Sequence, residues 1–285
     1  MVNQLAMAII NGILLGGVYA LLAYGLNLIF GVIKIIHLAY GQFIMLAIYI
    51  IYTCNVMLDI NIIISILITL IAMGFVGYIT QYVVINPLIN APRVNQLLAL
   101  AALILIIENF TMVVWGANYR SISIFLPVLS FKGLYIRASY LLAFVGSLIT
   151  LYILHTFLNK TYIGLAIRSV AQDEEMAKQL GINAKFIYYV TLAIGGVLTG
   201  IVAAFFVPIY TVNPHFGTSF TIMAFVIVVL GGMGNLFGGF VAAFIIGIIT
   251  SLSSTIFSTE IADIVVYTIF IMVMFYRPQG IFSYK

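Results

Sequence analysis

Charge is what this 285-residue chain has least of: 6% of its residues are Asp, Glu, Lys or Arg, against 65% that are hydrophobic. A soluble domain carries about a quarter charged residues, so the composition excludes a water-coated globule. The single cysteine, Cys54, excludes an intramolecular disulfide and a thiol metal site and reads as a small apolar packing residue. His37, His155 and His215 stand far apart near the ends of different apolar runs, which gives no metal-ligand spacing. There is no GxSxG elbow and no HExxH helix. Lys160-Thr161 follows Asn159 without the glycines of a phosphate-binding loop. No catalytic residue, metal ligand or bound cofactor is therefore assigned, the chain reads as a non-enzyme, and any ATP that drives it is hydrolysed on another chain. The net charge of +4 reports loop orientation in such a chain and carries no nucleic-acid reading.

What is present is apolar length. A helix needs ~20 apolar residues to cross ~30 Å of hydrocarbon, and about nine segments approach that length. Helices are expected because lipid offers no partner to backbone N–H and C=O groups, and these continuous runs lack the alternation of barrel strands. The fold class is all-α, a polytopic transmembrane helical bundle of about eight to ten passages forming one domain over residues 1–285, with membrane lipid around it.

The first run, Leu5 to Phe30, carries Gly12, Gly16 and Ala20 as a small-residue packing stripe. No basic residue precedes it, so it reads as a retained helix rather than a cleaved signal. A turn at Gly31 to Lys34 leads to a second run, Ile35 to Thr53. The third, Ile60 to Ile85, is expected to stop before Asn86-Pro87. The fourth, Leu97 to Trp115, contains Glu108 and ends on an interfacial tryptophan. Residues 116–137 read as an ordered extracytoplasmic loop, Ala138 to Phe157 as the fifth run, and Ile187 to Val207, with Gly196, Gly200 and Ala204, as the sixth. Ser219 to Ser254 is too long for one crossing and is broken by glycines from Gly231 to Gly239, which predicts two passages or a re-entrant hairpin. Ile261 to Tyr276 is the last run.

Between the fifth and sixth runs lies a polar island, residues 160–186, which holds seven of the eighteen charged side chains. With the island in the cytoplasm and nine alternating crossings, Lys34, Arg93, Lys160, Arg168, Lys178, Lys185, Arg277 and Lys285 fall inside and Arg120, Lys132 and Arg137 outside. Eight against three fits the positive-inside bias and puts the N-terminus outside and the C-terminus inside. Within the island Asp173 can cap a helix from Glu174 to Leu180 whose first turn carries Glu174 and Glu175, with Lys178 toward the other end and Gly181 as the stop. Two turns are marginal alone in water. Met176, Ala177 and Leu180 would form one apolar face suited to a groove on a partner protein.

Ion-driven carriers keep ionisable groups at membrane depth. This chain has one clear candidate, Glu108, followed by Asn109; a lone acid there is either hydrogen-bonded within the bundle or a proton relay. Asn27, Gln42, Glu108, Asn109 and the turn residues Gly231, Gly232, Gly234 and Asn235 are the candidates for a translocation pathway.

These residues resemble a family. Gly164-Leu165-Ala166-Ile167-Arg168, followed by Asp173, Ala177 and Gly181-Ile182-Asn183, is similar to the coupling loop of branched-chain amino-acid ABC importer permeases. Gly25 to Phe43 is similar to the N-terminal signature of that family, and Val229 to Gly239 to its late glycine motif. The family usually has Asn where His37 stands, His at Tyr40, and often Glu at Gln42. The resemblance implies a multi-pass permease of the cytoplasmic (inner) membrane, paired with a second permease, two cytoplasmic ATP-binding subunits and an extracytoplasmic solute-binding protein. ATP would be used by those partners, and Gly164, Ala166, Arg168, Asp173, Ala177 and Gly181 would contact the ATPase. The expected solutes are branched-chain or other hydrophobic amino acids, with urea, short amides or another small solute as the neighbouring alternative. A stand-alone ion-coupled carrier using Glu108, or a membrane scaffold, is the alternative from another class.

Overall fold

Thirty-two residues without a charge or a proline form α1 (Val2–Ile33), the longest helix among the described residues. The computed structural model describes residues 2–124, 126–131 and 134–282; Lys132 and Lys285, counted above for orientation, lie outside them. The remaining elements are α2 (Tyr40–Tyr52), α3 (Ile62–Thr80), α4 (Asn86–Leu88), α5 (Arg93–Trp115), a ribbon of β1 (Val128–Phe131) and β2 (Leu134–Arg137), α6 (Ala138–Lys160), α7 (Tyr162–Gln172), α8 (Glu174–Gln179), α9 (Ala184–Phe206), α10 (Phe216–Gly231), α11 (Leu236–Ile256) and α12 (Thr259–Tyr276). Among the described residues seven helices are long and apolar enough to cross a membrane, with α10 and α12 as shorter apolar companions. The bundle is helical as expected. Its exception is the antiparallel ribbon, in which Val128 pairs with Arg137 and Phe131 with Leu134.

The small-residue stripe of α1 does what its spacing predicts. Gly12 and Gly16 lie against the backbone of α11 at Ile248, Gly247 and Phe244, and Gly17, one residue on, meets Phe144 of α6. Backbones this close leave no room for a side chain, and the contact is van der Waals packing. The second stripe behaves likewise, with Gly196 and Gly200 of α9 against Met73 and Leu70 of α3.

Three boundaries differ from the sequence reading. Helix α1 runs through Gly31 to Ile33, and Lys34 turns the chain at φ 59°. Residues 34–37 are then irregular, and α2 starts only at Tyr40, so the second run is not a helix from Ile35. Asn86-Pro87 does not stop α3 either: a π-helical turn, Gln81–Ile85, hands over to α4, and the Asn86 N–H bonds to the Gln81 carbonyl. The wider register displaces the carbonyl that a proline ring would strike in an α-helix. The expected hairpin in Ser219 to Ser254 is the α10–α11 pair.

Candidate functional site

At ~1.5 Å per residue α10 spans only ~24 Å, and the first residues of α2, Tyr40 to Met45, are buried; the N-termini of the two helices meet inside the bundle. The Gly41 N–H donates to Thr221 Oγ1 at 2.9 Å. A side chain on Gly41 would run into the Gly217 carbonyl, and one on Gly217 into Gln42.

Gln42 is fully buried at this junction. Its Nε2 donates to Glu108 Oε1 at 2.8 Å and to Thr218 Oγ1 at 3.1 Å, while the Thr218 hydroxyl donates to the same carboxylate oxygen at 3.1 Å. His215 Nδ1 lies 3.7 Å from Glu108 Oε2. Along α5 the carboxylate stands ~22 Å from Arg93 and ~10 Å from Trp115. The acid is therefore inside the span, hydrogen-bonded, and beside the N-termini of α2 and α10. The cluster is not sealed: His215, Thr218 and Ser219 are exposed, beside Ile222 at 47%. A polar strip at this depth is costly against lipid and belongs to a water-lined passage or a protein contact.

The start of α2 also holds unpaired groups. Both ring nitrogens of His37 and the Oε1 of Gln42 are buried without a hydrogen-bond partner among the described residues. Such groups cost ~1–3 kcal/mol each.

The other pathway candidates divide. Asn109 is exposed on the outer face of α5, its Nδ2 donating to the Leu105 carbonyl at 2.7 Å; it takes no part in the junction. Asn27 instead fastens the glycine turn, its Nδ2 donating to the Asn235 carbonyl at 2.8 Å and its Oδ1 accepting from Gly234 N–H at 2.7 Å. Asn235 caps α11 through Gly238 N–H and donates to the Phe282 carbonyl at 2.7 Å. Gly232 and Gly234 take φ near 89° and 88°, which only glycine adopts freely, and Gly231 packs on Gly238 and Gly239. Asn27, Gly231, Gly232, Gly234 and Asn235 thus form a structural clasp one α10 length from Gln42 and Glu108. Thr218 and His215 complete the junction and escape the sequence reading; the polar run His215 to Ser219 after Pro214 is the signal that marks them.

The clasp shares its end of the molecule with the polar island. The Thr161 hydroxyl oxygen accepts from Gly164 N–H at 3.0 Å and opens α7, an amphipathic helix that buries Gly164, Ala166, Ile167 and Val170 and exposes Arg168. Gly164 packs on the backbone of Phe157 and Leu158. Asp173 Oδ1 then accepts from Glu175 N–H and Met176 N–H, both at 3.0 Å. Lys178 Nζ lies 2.6 Å from Glu174 Oε1. That ammonium, first, holds the Glu174 carboxyl below the usual carboxylate range against the opposing effect of burial, helped by the Tyr188 hydroxyl and the charge of Lys34. Gly181, at φ 83°, ends α8 with Ile182 N–H bonded to the Ala177 carbonyl. One expectation changes: α8 ends at Gln179, and Ala177 alone turns inward. Met176, 57% exposed, and Leu180, 79% exposed, face away from the bundle.

Comparison with known proteins gives the family. Residues 8–274 match the family described as branched-chain amino acid transport system / permease component. The Pseudomonas aeruginosa high-affinity branched-chain amino acid transport system permease protein BraD is 27% identical, over 96% of this chain and 94% of that protein. The Escherichia coli (strain K12) permease protein LivH of the same description is 28% identical over 95% of this chain and 93% of its own length. Among solved structures, PsaBC from Streptococcus pneumoniae in complex with Fab superposes with a TM-score of 0.53 at 12% identity, covering 94% of this chain and 91% of that one. That last likeness concerns the fold.

Proposed function

The chain belongs to the branched-chain amino acid transport permease family, a membrane-spanning subunit of an ABC importer in the cytoplasmic membrane, and we propose that its solutes are branched-chain or other hydrophobic amino acids that pass beside the Gln42–Glu108 junction. The observation that carries the pathway is the strip of His215, Thr218 and Ser219 exposed next to a half-buried, hydrogen-bonded carboxylate. A strip of that polarity fits a water-lined passage completed by a second permease against α5 and α10. The printed names of the relatives support the solute class.

The partners are a second permease, two ATP-binding subunits and an extracytoplasmic solute-binding protein, with the end bearing α7 and α8 in the cytoplasm. Met176 and Leu180 then face the ATPase, the capped α8 moves with it as a rigid unit, and α9, which follows directly, carries that movement into the bundle. ATP is hydrolysed on the partner chain.

Uptake of labelled leucine by vesicles holding the reconstituted complex tests the reading. ATP-dependent uptake that needs the binding protein is expected. Uptake driven by an ion gradient without ATP would overturn it.

A further inference from the structure

Beneath the start of α2, at the end that carries α7 and α8, the irregular segment after α1 leaves a cavity of about 950 Å³, within the ~300–1,000 Å³ of small-molecule sites. Lys34, Arg93 and Arg168 line it together with His155, and no aspartate or glutamate is among its described lining residues. Three cations that line one cavity without a carboxylate favour an anion there. The acid that acts electrostatically on Lys34, Glu174, is already bonded to Lys178 at 2.6 Å. The wall also carries the amides of Gln96, Asn159, Gln172 and Asn235, and it has an apolar part formed by Phe30, Ile35, Leu97, Leu158 and Phe237. Arg93 opens α5 and Lys34 follows α1 directly, so these two cations sit at the ends of long apolar helices, while Arg168 lies within α7. An amino-acid zwitterion would leave its ammonium among cations, and a free phosphate would make no use of the apolar wall.

We propose that this cavity binds an anionic phospholipid, its phosphate among Lys34, Arg93 and Arg168 and its upper acyl chain along the apolar wall. The site is independent of the solute transported.

The test uses the complete transporter, purified in detergent, stripped of lipid and titrated with phosphatidylglycerol, phosphatidylcholine or soluble glycerol phosphate, with retained lipid read by native mass spectrometry. Phosphatidylglycerol should be retained at least tenfold better than phosphatidylcholine, and glycerol phosphate should not displace it at equal concentration. Lys34→Gln with Arg93→Gln should lower retention at least tenfold, and Arg93→Lys should keep it, which separates charge from folding. Equal retention by wild type and the double glutamine variant would overturn the site, as would displacement by glycerol phosphate, which makes it a free-anion site. Loss of the ATPase subunit from that variant with lipid retention unchanged would overturn it in favour of a protein contact.

Discussion

Gln42 and Glu108 meet at 2.8 Å although sixty-six positions separate them in sequence, because α2 begins inside the bundle at the level where α5 carries its only acid. Replacing Gln42 by Leu removes one of the donors that satisfy this carboxylate. Thr218 remains as a donor, so the change removes one hydrogen bond, worth ~0.5–1.5 kcal/mol; the Gln42→Leu chain should melt a few degrees lower and take up leucine at least tenfold more slowly. Glu108→Gln keeps the shape of the side chain and puts an amide where the carboxyl group stands. It should insert normally in the membrane, checked by size exclusion, and lose uptake while the ATPase partner still binds.

Gly41 and Gly217 bring the two helix starts together with no space for a Cβ. Gly41→Ala must push α2 away from α10, at an overpacking cost of ~1–3 kcal/mol, and it stretches the 2.9 Å bond to Thr221. Thermal unfolding in detergent should show the loss. Thr221→Val, which deletes the acceptor without adding bulk, should cost less; an equal or larger loss from Thr221→Val would mean that the hydrogen bond rather than the close approach governs the junction.

How much of this is legible in the sequence depends on the range of the interaction. The cap of α8 is local, Asp173 to Met176, and the residue types alone specify it. The packing stripes of α1 and α9 follow from four-residue spacing. The junction does not, because nothing in Ile35 to Tyr52 signals that the helix starts five residues late. Asn109 misleads for the opposite reason: consecutive residues on a helix point in different directions, so a neighbour of Glu108 in sequence is not its neighbour in space. Asn27, and Asn235 in the glycine turn, are joined by bonds that link them to each other and to Gly234 and Phe282, a long-range pairing that spacing in the sequence does not reveal.

Asp173 stabilises the start of α8 by accepting two N–H bonds at 3.0 Å. Asp173→Ala should cost ~1 kcal/mol of helix stability; in a six-residue helix that is enough to fray it. The expected outcome is intact insertion with ATPase activity that no longer responds to loaded binding protein. Asp173→Asn caps nearly as well and should retain at least half of the response.

The Lys178–Glu174 pair gives the same element a defined pH range. The Glu174 carboxyl titrates below its ordinary value in the folded chain, so its contribution is complete above the unfolded value of ~4.3 and is lost as pH falls through the lower folded value. Amide exchange in α8 should be insensitive to this pair from pH 8 to about 5 once the intrinsic pH dependence is removed, and protection should fall under stronger acid. Lys178→Gln should show less protection already at neutral pH.

Met176 and Leu180 face away from the bundle, so substituting them removes little that the isolated chain buries. Met176→Asp with Leu180→Asp should leave melting of the permease within about 0.5 kcal/mol of wild type, as expected for surface changes. A partner groove that covers these side chains would have to bury two carboxylates without counter-charges, at several kcal/mol each, and the ATPase subunit should no longer co-purify. Reversing Glu174 and Glu175 to Lys alters the charged shoulder of the same helix and should weaken coupling while leaving insertion intact. If both variants recover the ATPase at wild-type yield, α8 is not the docking element, and the contact must be sought on the exposed residues of α7, beginning with Arg168.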